Sequence, residues 1–194
     1  MEGEARRGLA IRLRPVQDDD EAFLLRVFAS TREPERLAAR WEDNEWDAFL
    51  RMQFAAQRRS YRLYHPNGDH SIILRDGEPV GQVWIDRSTT EIRLVDIAVL
   101  PEHRGCGIGT HLIRGLQAAA REAGVPLRHM VEIYNDRARR LYEHLGFVSI
   151  ETLGLHTLME WKAVRGMRRL SLDRSMARAP RRSGTFQSLW AWHL

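Results

Sequence analysis

The sequence predicts an α+β fold built on a mixed sheet, and three patterns predict it. Apolar runs of strand length recur along the chain, among them residues 94–100 and 127–133. Asp76-Gly77, between two such runs, is a strong two-residue hairpin signal. Two amphipathic helical stretches separate the later runs. One places Ile108, Leu112, Ile113, Leu116 and Ala120 on a single face; the other does the same with Ala138, Leu141, Tyr142 and Leu145.

The elements follow in order. Residues 1–8 are polar and expected to be flexible. Residues 9–15 alternate Ile11 and Leu13 against Arg12 and Arg14, a first strand. Asp18-Asp19-Asp20-Glu21 then caps a helix that turns Phe23, Leu24, Val27 and Phe28 inward. Residues 34–41 are compatible with a further short helix. A longer one begins at Asp43 or Asn44 and carries Trp46, Phe49, Leu50 and Phe54 at helical spacing as far as about Tyr64. His65-Pro66-Asn67-Gly68 breaks it. The hairpin at residues 71–74 and 80–86 follows, then a strand at 91–100 and a helix that ends at Gly124. A strand at 127–133, a short helix and a final hairpin (147–153 with 156–162) complete the order β-α-α-β-β-β-α-β-α-β-β.

Composition narrows the function classes. At 194 residues, 43% of them hydrophobic, the chain accommodates one domain with a real core plus extensions. The domain is expected over residues 9–165. Residues 166–194 form an arginine-rich tail that is expected to be disordered. The tail holds six arginines against Asp173, a net of +5 out of the chain's +4, so the first 165 residues sum to about −1. The basic character therefore belongs to the tail, which argues against a nucleic-acid partner of the folded domain. No apolar run reaches the 18 or more residues of a membrane span. The polar N-terminus lacks a secretion signal, so a cytoplasmic location with no membrane partner is expected. The lone cysteine, Cys106, excludes an internal disulfide, and the scattered histidines suggest no metal site.

Chemistry concentrates at residues 101–109, Pro-Glu-His-Arg-Gly-Cys-Gly-Ile-Gly, which join a strand to a helix. A glycine-rich turn there aims bare backbone N–H groups and the positive end of a helix dipole at one spot, as a phosphate-bearing ligand requires. A nucleotide-hydrolase loop would need Lys-Ser/Thr after its last glycine, but Thr110-His111 follows Gly109. The dinucleotide fingerprint fails as well, because the last glycine interval is wrong.

Arg104-x-x-Gly107-x-Gly109 resembles instead the pyrophosphate loop of the GNAT superfamily of N-acetyltransferases. A second stretch resembles that family's other signature: Asn135-x-x-Ala138-x-x-Leu141-Tyr142-x-x-Leu145-Gly146-Phe147. The two occur in the family's order and separation, and the predicted element order is also the family's. The likeness covers roughly residues 10–163.

The resemblance implies an enzyme that moves an acetyl group from acetyl-CoA to a primary amine by direct attack in a ternary complex. The pyrophosphate would lie on the backbone of Arg104, Gly105, Cys106, Gly107, Ile108, Gly109 and Thr110. The pantetheine arm would pair with Ile97, Ala98 and Val99, and the N–H near Val99 would hold the thioester carbonyl. A break in alternation around residues 97–100 suggests a bulge there. Asn135 would touch the pantetheine or cap its helix. Tyr142 would return a proton to the leaving thiolate.

The base that takes the amine's proton stays open between Glu132, Asp96 and solvent. Cys106 is not expected to form an acyl-enzyme, because its loop faces phosphate. The acceptor is unspecified, with a small-molecule amine slightly favoured over a protein N-terminus. Trp41, Trp46, Phe49, Tyr61 and Tyr64, interleaved with acids, are compatible with an amine pocket and equally with an ordinary amphipathic helix. The alternative is a catalytically inactive CoA-binding or scaffold protein of the same fold. A homodimer is compatible with the fold, although no face of the sequence announces one.

Overall fold

A computed structural model describes residues 10–39 and 41–163. The flexible start and the tail expected from the sequence lie outside the described residues. Seven strands form one mixed sheet in the order β1-β2-β3-β4-β5-β7-β6. They are β1 (Ile11–Pro15), β2 (Asp69–Arg75), β3 (Glu78–Arg87), β4 (Ile92–Val99), β5 (Leu127–Glu132), β6 (Val148–Leu153) and β7 (His156–Trp161). Five helices accompany them: α1 (Glu21–Ser30), α2 (Glu33–Ala39), α3 (Asp43–Tyr64), α4 (Ile108–Ala123) and α5 (Asp136–His144). The expected order counted two helices before the hairpin. There are three, because the short segment after α1 forms a helix of its own.

The acidic run ahead of α1 does not cap it directly. Asp18–Asp20 makes a 3-10 turn, in which the Asp20 carboxylate accepts the Gln17 N–H at 2.7 Å and pairs with Arg14 at 2.7 Å. Asp76 and Gly77 both adopt positive φ, as the tight turn between β2 and β3 requires. Leu13, on the edge strand β1, is 42% exposed.

Apolar side chains pack on both sides of the sheet. On one side Ile73, Val83, Ile85, Leu94 and Leu127 meet Ile113, Leu116 and Ala120 of α4 and Tyr142 of α5. On the other, Ile72 packs with Leu24 and Phe28 of α1 and Trp46, Leu50 and Phe54 of α3. Burial on both faces explains why β3 reads as a nearly continuous apolar run rather than an alternation.

The central feature is a divergence. β4 and β5 pair in parallel only at Ile92–Leu94 with Leu127–His129. Beyond that point β5 stays with β7 as far as Glu132, while β4 stays with β3 as far as Val99. A slot opens between them. The bulge that bends β4 lies at Val95, where the register against β3 skips one residue between Asp96 and Leu94. It thus falls two residues earlier than the alternation suggested, because the Ile97–Val99 segment stays in register with β3.

Candidate active site

The slot is lined by backbone. Leu100 donates its N–H to the Val80 carbonyl at 2.9 Å, which sets the phase of the β3–β4 ladder. Residues alternate along such a ladder, so Ile97 and Val99 turn their N–H and C=O groups away from β3, into the slot. Gly81, opposite Val99, permits this close pairing; a methyl group there would collide with the Ala98 carbonyl oxygen.

The glycine loop closes the end of the slot. Gly105 and Gly107 adopt φ of +79° and +82°, which non-glycine residues take only at a cost. Gly105, Cys106 and Gly107 are exposed, and α4 starts at once behind them. The first described bond of that helix runs from the His111 N–H to the Gly107 carbonyl. The N–H groups of Ile108, Gly109 and Thr110 therefore point out of the helix end. Cys106 turns its thiol back toward the Arg104 carbonyl, 3.7 Å away.

Arg104 does something the sequence did not indicate. Its guanidinium folds away from the loop's mouth and donates to the Val99 carbonyl (2.7 Å), the Ser30 carbonyl (3.1 Å) and Ser30 Oγ (3.2 Å). It ties the last residue of α1 to the end of β4. It also occupies the Val99 carbonyl, which leaves the Val99 N–H as that residue's group for the slot. Positive charge near the loop is shared with Arg137 of α5, which together with burial draws the Arg104 guanidinium down.

On the far side of the slot, α5 begins as expected. Asn135 Oδ1 accepts the Ala138 N–H at 3.0 Å and caps the helix. Tyr142 is 2% exposed, its ring 4.7 Å from His129 and 5.2 Å from Phe147 between centroids. Burial, with Asp96 adding to it, holds the Tyr142 phenol well above its ordinary value, so the hydroxyl keeps its proton. Beside it, burial pushes His129 down to about 4, and its Nδ1 lies 2.6 Å from the Leu94 carbonyl.

The two candidate carboxylates differ sharply. The Glu132 side chain is 43% exposed and stands 3.8 Å from Arg32, which reaches across from the end of α1. Asp96 is inside. Burial pushes it up to about 6, against the opposing pull of Arg32, a Gln82 hydrogen bond and the Ile97 N–H. Since the Ile97 backbone faces the slot, its contact with the carboxylate brings Asp96 to the slot's edge. Gln82 Nε2 donates to Asp96 at 2.9 Å, so Gln82 Oε1 is the acceptor facing His70 Nε2 at 3.0 Å. Of the expected aromatic set, Trp41, Trp46 and Phe49 pack on one another, and Tyr64 is 43% exposed. Only Tyr61 turns toward Asp96, packing against Trp84 at 5.4 Å.

Among the described residues, no group of three or more His, Cys, Asp or Glu could hold a metal ion, and no helix is long and apolar enough to cross a membrane.

A sequence profile of the acetyltransferase (GNAT) family matches residues 24–147. The chain belongs to that family. The matched segment carries both the slot and the glycine loop of this GNAT domain. It is 32% identical over 157 residues to the mycothiol acetyltransferase of Nocardiopsis dassonvillei, covering 73% of this chain and 44% of that protein. It is 29% identical over 79 residues to the [ribosomal protein bS18]-alanine N-acetyltransferase of Haemophilus influenzae, covering 41% of this chain and 54% of that one. The chain thus spans about half the length of the curated relatives it matches. The GNAT fold is shared with the PaiA N-acetyltransferase of Thermoplasma acidophilum, solved in complex with coenzyme A, at a TM-score of 0.61 and 17% identity, covering 80% of this chain and 100% of that one.

Four residues of the site escaped the sequence reading: Ser30, Arg32, His70 and Gln82. Gln82 alone left a trace, as the one polar residue inside the apolar run Val80-Gly81-Gln82-Val83-Trp84-Ile85. A polar side chain at such a position needs a buried partner, and here it has two.

Proposed function

We propose that the protein is an N-acetyltransferase that moves the acetyl group of acetyl-CoA to a primary amine in a single ternary complex. The observation that carries this is the slot: β4 backbone that no strand pairs on that side ends beside exposed N–H groups of a glycine loop, with a buried tyrosine on the facing helix. A donor with two amides and a pyrophosphate matches that layout. The loop backbone from Arg104 to Thr110 holds the pyrophosphate, and the Ile97–Val99 segment pairs with the pantetheine amides. Asn135 acts as a cap, so its part in donor binding is indirect.

In this reading the base is Asp96 rather than Glu132. A carboxyl with a pKa of about 6 is poised to accept a proton near neutral pH, whereas the Glu132 carboxylate faces Arg32. Asp96 takes a proton from the acceptor ammonium, and the neutral amine attacks the thioester carbon. The carbon–nitrogen bond forms while the Val99 N–H receives the oxyanion. The carbon–sulfur bond then breaks, Tyr142 supplies the proton that the thiolate needs, and the second proton shed by the new amide nitrogen returns to the tyrosine through solvent. Glu132 and Arg32 flank the mouth, where they orient the acceptor. The acceptor is an amine, with a small molecule favoured over a protein N-terminus, because α3 and the Arg32–Glu132 pair narrow the approach. The mycothiol acetyltransferase likeness points the same way.

Calorimetric titration with acetyl-CoA tests the donor site, with Gly107→Glu as control. Micromolar binding that the variant loses supports the reading; absence of binding by the wild type overturns it. An amine panel followed by thiol release then identifies the acceptor. Once it is known, kcat/KM must fall below about pH 6 in the wild type, and Asp96→Asn must abolish that limb.

A further inference from the structure

A second concavity, of about 230 Å³, lies on the same sheet face as Asp96 but toward β2, away from the slot. Arg58 and Arg62 of α3 form part of its wall, one helical turn apart, with His65, Gly68, His70 and Trp84 around them. No residue assigned to the donor site lines it.

Its chemistry is cationic. The two guanidinium groups repel, and Arg58 is drawn down first by burial and then by Arg62. The acids in reach do not cancel this charge. Glu21 stands 3.9 Å from Arg58 and is itself largely exposed, Asp86 is committed to His65 Nδ1 at 2.8 Å, and Asp20 is held by Arg14.

Two N–H groups of the lining are buried without a partner, Trp84 Nε1 and Arg58 Nε. Trp84 is only 5% exposed. A buried donor left unpaired is rare in folded proteins and destabilising. Gly68 packs directly against Trp84 Nε1, and a methyl group at that position would collide with it, so only glycine lets the chain approach the indole this closely. An unpartnered indole N–H beside paired arginines in one concavity describes a cradle for an oxyanion. The volume lies below the roughly 300–1,000 Å³ of drug-sized ligand sites, which limits the occupant to a group of few heavy atoms.

We propose that this pocket binds a small phosphate group, free or as a phosphomonoester, through Arg58, Arg62 and the Trp84 indole N–H. The site is separate from the pyrophosphate loop.

Thermal denaturation of the full chain tests this, with inorganic phosphate titrated against chloride at constant ionic strength and acetate in a parallel arm. The midpoint of the wild type rises with phosphate. Arg62→Gln, at an exposed position that folding tolerates, weakens the apparent phosphate affinity at least about tenfold. Gly68→Ala, whose methyl group forces the Trp84 indole out of place, weakens it as well. Gly107→Glu, which blocks the donor loop, leaves the phosphate response intact, so failure of the donor site and failure of this one are distinguishable. No response in the wild type, or one that Gly107→Glu abolishes while Arg62→Gln retains it, overturns the proposal. An equal response to acetate overturns the assignment to phosphate.

Discussion

Asp96→Asn separates the electrostatics of the slot from its chemistry without any acceptor in hand. Burial moves the Asp96 carboxyl from its ordinary value near 3.8 to about 6. Between those two values the folded protein retains a proton that the unfolded chain has released. Stability therefore falls as pH rises through that window, and the loss is complete above about pH 6. The displacement corresponds to at most about 3 kcal/mol, a ceiling because the residue is only partly buried by area. His129 acts in the opposite direction. Its folded value is pushed down to about 4, so the unfolded chain binds the extra proton and stability falls as pH drops from about 6.5 to 4. The wild-type curve alone blends the two slopes, but the difference between wild type and variant isolates Asp96. Asparagine keeps an oxygen to accept the Gln82 amide, so the packing is preserved. Urea denaturation of both proteins at steps between about pH 4.5 and 7.5 measures that difference. It should shift in favour of the variant as pH rises through 6 and then level off. A difference that does not change with pH would show that Asp96 titrates at its ordinary value, and the argument that makes it a base would fail.

Other perturbations test neighbouring parts of the site. Tyr142→Phe should lower the transfer rate by about 10²–10⁴-fold while calorimetry shows acetyl-CoA affinity unchanged within a few-fold; an unaltered rate removes the proton-donor role. Gly107→Ala forces a side chain into a left-handed conformation at φ +82° and should cost about 1–2 kcal/mol in chemical denaturation, even though the added methyl meets open space. Ile113→Ala, at a fully buried position of α4, should cost about 2–5 kcal/mol by the same measurement. Asn135→Ala should cost about 1 kcal/mol and leave the acetyl-CoA dissociation constant nearly unchanged, as expected of a helix cap.

Local patterns in the sequence report local structure faithfully. The hairpin turn at Asp76-Gly77, the start of α5 at Asn135 and the glycine loop depend on residues a few positions apart, and each is where the pattern put it. The slot is different. Nothing in residues 94–99 states that β5 abandons β4 after Leu94, because the divergence depends on β7 pairing with β5 from thirty positions away. The same holds for Arg104. As a motif residue it reads as charge for a phosphate, yet its partners are the last residue of α1, 74 positions back, and a strand carbonyl. Glu132 and Asp96 look alike as letters at strand positions. Only tertiary packing exposes one to solvent and Arg32 and buries the other beside Gln82.

The three hydrogen bonds of Arg104 have a consequence for how two substrates sense each other. In the proposed reading the end of α1 borders the acceptor's approach and the end of β4 borders the donor's slot, so one guanidinium would form a wall shared by both. Neither side can relax without pulling on the other. If binding of either molecule shifts this bridge, the affinity for its counterpart changes, and by the same factor in both directions. An arginine whose side chain touches neither substrate would set the strength of that conversation.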